Sequence, residues 1–95
     1  MDDEDYIDDK PVVLKSDMPE KIQQIALDCA QKALNEFGLD RSNIAQYIKN
    51  DFDEKFGNYW ACFVGHKFGS FFSFAESTFI SFYIGDLLFL LFKYP

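Results

Sequence analysis

The chain has 95 residues, 48% of them hydrophobic and 19% aromatic, which bounds it to one small domain that gains from extra burial against a second copy. Its formal charge of −7 is uneven, because six acids fall in residues 1–9 and the body carries ten acids against nine scattered bases, which excludes a basic patch for nucleic acid. Two cysteines make no disulfide framework, no basic-plus-apolar leader opens the chain, and the longest apolar run is broken at Gly85-Asp86, short of the roughly 20 residues a membrane helix needs. The chain therefore reads as cytosolic, with reduced thiols.

Residues 1–9 hold too little apolar surface to order themselves and read as an acidic, flexible tail, leaving 10–95 as the folded domain. Pro11-Val12-Val13-Leu14-Lys15 is a short β-branched stretch, with Pro11 suited to a strand start or a sheet edge. Ser16 or Asp17 is placed to cap a helix, and Pro19 to enter its first turn. Ile22, Ile25, Ala26, Cys29, Ala30, Ala33, Leu34 and Phe37 then recur as one apolar stripe, which Gly38 ends.

A second helix starts near Asp40-Arg41-Ser42-Asn43, a cluster of capping types. Ile44, Ala45, Ile48, Phe52 and Phe56 mark its apolar face, and Gly57-Asn58 stops it. Asp51, Asp53 and Glu54, around its last turns, read as a solvated face. Everything from Trp60 onward is strand. In 79–84 one face carries Ile80, Phe82 and Ile84 and the other Phe79, Ser81 and Tyr83; past Gly85-Asp86, Leu87, Phe89 and Leu91 oppose Leu88, Leu90 and Phe92. Glycine at the first central position of a two-residue loop predicts a type II′ hairpin. Two helices, each with one stripe, cover one face of such a sheet, so the other calls for a homodimer packed sheet on sheet about a two-fold axis.

No catalytic constellation is visible. His66 is four positions from Cys62, about 13 Å along a strand, too far for a thiol–imidazole couple unless Gly65 bends the chain. One histidine and two lone cysteines lack metal-ligand spacing, so no metal or cofactor is expected. Gly65 and Gly69 do not form a phosphate loop. What remains is recognition through backbone. The stretch 67–74 offers small residues (Gly69, Ser70, Ser73) for close approach and aromatics (Phe68, Phe71, Phe72, Phe74) as pocket walls, which suits an edge strand that accepts a partner's strand.

Several motifs in one order resemble the eight-kilodalton dynein light chain family, from Lys10 to Lys93. They are Asp17-Met18, Gln23-Gln24, Cys29-Ala30, Ala33-Leu34, Ile48-Lys49, Phe52-Asp53 with Lys55, and Trp60 with Cys62. Most specific are Val64-Gly65, Phe68-Gly69-Ser70, Phe79-Ile80, Phe82-Tyr83 with Gly85, and Leu90-Leu91-Phe92-Lys93. The resemblance implies an α+β fold of two helices on a five-stranded antiparallel sheet. It also implies a strand-swapped homodimer in which 68–74 crosses to the other subunit. Two grooves then receive extended client segments, often with a Thr-Gln-Thr core, by strand addition; dynein intermediate chain is one such client. Carried over by position, His66, Lys67, Phe68, Gly69, Ser70, Phe71, Phe72, Ser73 and Phe74 line the groove, Asp40 receives the client glutamine, and Arg41, Phe79, Ser81 and Tyr83 complete its walls. Ala61, Lys67, Phe68, Ser70 and Phe72 fall at the implied dimer interface.

The departures are specific. Phe74 replaces a groove histidine, Ser81 a groove tyrosine, Ala61 an interface histidine whose titration splits some members in acid, and Tyr94 a phosphorylatable serine. One residue is inserted near Ser42-Asn43. The resulting expectation is a non-catalytic hub of the dynein motor complex, cytoplasmic and microtubule-associated, with no nucleic-acid partner and no membrane insertion. The alternatives are a divergent paralogue dimerising unrelated clients at a membrane-associated cytoskeleton, and a thiol enzyme using Cys62 and His66.

Overall fold

A computed structural model describes residues 10–66 and 78–94. Strand β1 (Val12–Ser16) leads into helices α1 (Glu20–Phe37) and α2 (Arg41–Phe56), followed by β2 (Trp60–His66), β3 (Phe79–Ile84) and β4 (Leu87–Lys93). The class is α+β, two helices on an antiparallel sheet. Four of the five expected strands lie among the described residues, in the order β1-β3-β4-β2; the remaining one, expected at 68–74, falls outside them.

The local signals explain most boundaries. Gly38 ends α1 with φ +62°, and its N–H reaches the Leu34 carbonyl at 2.8 Å. Asp40 caps α2, accepting the Asn43 N–H at 3.3 Å, and Gly57 closes that helix at φ +84°. Gly85 (φ +61°) is followed by a residue of negative φ, the pattern of a type II′ turn, and Ile84 faces Leu87 across it.

The expected cap of α1 is different. Pro19 occupies the capping position with no side-chain bond, and its carbonyl takes the Ile22 and Gln23 N–H groups at 2.9 and 3.0 Å. Ser16 belongs to β1, paired with Ile80, so its hydroxyl and the Asp17 carboxylate turn to the start of β3 instead. Ser16 Oγ donates to the Phe79 carbonyl at 3.0 Å, and Asp17 Oδ1 accepts the Phe79 N–H at 2.7 Å. A good acceptor serves whichever backbone donor the fold brings near.

The core lies between helices and sheet. Small residues on α1 (Ala26, Cys29, Ala30, Ala33) let it approach closely, and α2 contributes Ile44, Ile48 and Phe52. Opposite them stand Ile80, Phe82 and Ile84 of β3 and Leu87, Phe89 and Leu91 of β4, with the Phe82 and Phe89 rings stacked at 4.8 Å. Each such large apolar side chain adds about 1.5–3 kcal/mol on burial. The other face of central β4 is buried as well: Leu88, Leu90 and Phe92 are 8, 5 and 9% exposed. The exposure expected of that face is therefore concentrated away from its centre, at Phe63 of β2, which is 50% exposed, and at Val12 of β1, which is 56% exposed.

Candidate functional site

Among the described residues β2 is an outer strand, bonded to β4 alone. Its register against β4 runs without a shift from Trp60↔Lys93 to His66↔Leu87. Both ends of α2 control this edge. The C-terminal turn anchors it: Asp53 Oδ1 accepts the Trp60 N–H at 2.8 Å, Asp53 Oδ2 is paired with Lys49 Nζ, and Lys93 Nζ donates to the Phe56 carbonyl at 3.2 Å. Aromatic packing adds to the anchor, with the Phe52 and Trp60 rings 4.9 Å apart. The N-terminal half of α2 then runs alongside and opens a groove.

That groove, of about 670 Å³, is walled by Ser42, Ala45, Gln46 and Lys49 of α2 and by residues 59–63 and Tyr94. Residues from both faces of β2 line it, so it follows the strand's edge that is outer among the described residues. Three of its aromatics remain in contact with solvent, Tyr59 at 65%, Tyr94 at 54% and Phe63 at 50% exposure.

The Asp53 carboxyl is held below the usual carboxylate range chiefly by the Lys49 hydrogen bond, with the Trp60 N–H helping and burial opposing. It is not part of a merely solvated face, contrary to expectation. Asp51 does pair outward, with Lys55 at 3.0 Å, which raises the Lys55 ammonium. Neither cysteine is poised as a nucleophile. Burial, reinforced by Asp51, pushes the Cys29 thiol up to about 12, and burial pushes Cys62 above its ordinary value. No cluster of three or more potential metal ligands exists among the described residues. Nor is any described helix long and apolar enough to cross a membrane.

The expected site residues fall in three places. Asp40 and Arg41 stand at the start of α2, both exposed, with Asp40 Oδ2 also holding Asn43 Nδ2 at 2.7 Å. Phe79, Ser81 and Tyr83 line up half-buried on the sheet face away from the helices, paired with Phe92, Leu90 and Leu88. Ala61 is on the groove and His66 is exposed at the far end of β2. Lys67, Phe68, Gly69, Ser70, Phe71, Phe72, Ser73 and Phe74 lie outside the described residues. Within one copy, the sheet separates the β3 set from the α2 set by β4 and β2. Ser42, Gln46 and Lys49 went unassigned in the sequence, although their spacing at i, i+4 and i+7 marks one row of α2 beside its apolar stripe.

The family model for dynein light chain type 1 matches residues 10–94 of the chain. The chain belongs to that family. Solved dynein-light-chain-like domains share the fold at low identity. The domain of the Fasciola hepatica calcium binding protein FhCaBP2 superposes with a TM-score of 0.81 at 23% identity, over 93% of this chain and 94% of that one. That of CsTAL3 gives 0.75 at 13% identity, over 90% and 94%. At these identities the superpositions carry the fold of the dynein light chain domain, and its occupants have to be argued from the edge itself.

Proposed function

We propose that this protein is a non-catalytic dimeric hub, in which the open edge of β2 pairs with a strand from a second copy and the resulting grooves take extended client segments by strand addition. The observation that supports it is the unbroken, outer β2 edge lying beside the α2 groove. A second copy is favoured as the occupant by the family resemblance, which implies that 68–74 crosses to the other subunit. His66 and Phe79 stand at opposite ends of the sheet, since β2 and β3 both run antiparallel to β4. The groove residues a single copy keeps apart, on α2 and on β3, come from two subunits in such an assembly.

Clients are held in pairs, so weak single contacts gain from effective concentration. The role follows as an accessory light chain of dynein, with intermediate chain and other Thr-Gln-Thr-bearing proteins as clients, at microtubules in the cytoplasm. A second reading, clients unrelated to dynein, draws on the solved domains being parts of other proteins. The raised thiols disfavour a third, the Cys62–His66 enzyme.

Sedimentation at micromolar concentration is expected to give a dimer; an 11.1 kDa species alone overturns the reading. Titration of a labelled Thr-Gln-Thr peptide into wild type and Gly69→Val tests the groove, since an added side chain obstructs the incoming backbone. Equal affinity for both variants removes the assignment of 67–74 as the pairing strand. An intermediate-chain peptide that fails where other Thr-Gln-Thr peptides bind selects the second reading.

A further inference from the structure

We propose that Asp53 sets the register of the strand that pairs with β2, by closing the first rung of its open edge. This rests on the reading above, that the edge receives a strand from a second copy. In an antiparallel ladder the N–H and C=O of one residue point to the same neighbour, and successive residues point to opposite ones. Tyr94 N–H donates to the Tyr59 carbonyl at 2.9 Å, continuing the β2–β4 ladder one step past Trp60↔Lys93. Residues 59, 61, 63 and 65 therefore address β4, and Trp60, Cys62, Val64 and His66 address the open edge.

The first of these outward donors is already taken. Asp53 Oδ1 lies 2.8 Å from the Trp60 nitrogen, on the side from which a new strand has to come. The carboxylate cannot easily swing away, because its other oxygen is paired with Lys49 and its side chain is only 15% exposed. A carbonyl oxygen arriving opposite Trp60 meets a charged acceptor on the same proton, so continuous pairing starts at Cys62. The edge that looks seven residues long thus offers full rungs at Cys62, Val64 and His66 only. A closed end matters because a one-residue slip turns every side chain of the added strand to the opposite face. Asp53 is a positioning residue here, acting from α2 on a strand it does not belong to.

Amide hydrogen exchange followed by NMR on the full chain, at concentrations below and above assembly, reads each rung separately. In wild type, Cys62, Val64 and His66 amides are expected to slow by about tenfold or more as concentration rises, while Trp60 is slow throughout. In Asp53→Ala the Trp60 amide is expected to be fast when dilute and slow when concentrated, having joined the ladder. Asp53→Asn, which keeps an acceptor oxygen, is expected to retain the wild-type pattern. The inference is overturned if Trp60 protection in wild type rises with concentration alongside the other three. It is equally overturned if Asp53→Ala leaves Trp60 unprotected in an assembly that still protects Cys62. Should Asp53→Ala fail to fold, the wild-type comparison and Asp53→Asn decide the matter. If none of the four amides responds to concentration, the proposed function falls together with this inference.

Discussion

The sheet has two outer strands among the described residues, and they differ in kind. Strand β1 is the greasier to look at, with Val12, Val13 and Leu14 exposed at 56, 37 and 50%. It is nevertheless poorly shaped for pairing, because Pro11 precedes it, Lys15 is exposed on it, and its register with β3 shifts between Val13 and Lys15. A bulge of this sort twists an edge away from any flat partner. Strand β2 is straight over seven paired residues, braced by α2 and flanked by a groove. Exposed apolar area alone would point to β1; continuity of the backbone donors and acceptors, and a wall beside them, make β2 the pairing edge of the proposed assembly.

The contrast breaks most severely at Phe52, whose ring packs on Trp60 and is fully buried. Phe52→Ala is expected to cost about 3–5 kcal/mol in urea unfolding, because the cavity opens under the anchored end of β2. A loss below 1 kcal/mol means that α2 does not brace this edge. Next comes proline on each edge. Val64 N–H faces outward, so Val64→Pro removes an edge donor and spares the β4 ladder; association by sedimentation is expected to weaken on the order of 100-fold, whereas Leu14→Pro at the bulge leaves it unchanged. Equal effects of the two would erase the distinction between the edges.

A smaller change is expected from Asp40→Ala, which removes the α2 cap at about 1 kcal/mol in a thermal melt and also lowers client-peptide affinity. Unaltered affinity would confine Asp40 to capping. The smallest effect concerns acid. The Asp53 carboxyl is depressed in the folded state, so its contribution is present above the unfolded carboxylate value and lost only as pH falls through the lower folded one. With alanine at position 61 in place of a titrating histidine, neither stability nor dimerisation should change between pH 7 and 5. A monomer appearing in that window by sedimentation contradicts this.

The helices and strands were legible in the chain because their signals are local. Gly38, Gly57 and Gly85 adopt the positive φ that their positions suggest, and the alternation in 79–92 divides into the two faces seen in the fold. The α1 cap was not legible: Ser16 and Asp17 carry the right atoms, but the fold brings the backbone of Phe79, more than sixty positions away, within their reach, and Ser16 Oγ also accepts the Met18 N–H at 3.0 Å. Asp53 was misread for the same reason, since nothing in its neighbourhood along α2 announces a strand start seven residues later.

By itself the sequence determined the class of fold, the stripe each helix buries, the hairpin at Gly85-Asp86 and, through its ordered motifs, the family. Tertiary structure alone decided which strands lie outermost among the described residues, which backbone donors of β2 point away from β4 and which carboxylate takes one of them. Periodicity and turn chemistry act over a few residues, whereas the order of strands in a sheet depends on contacts between segments far apart in the chain, and those exist only once the chain has folded.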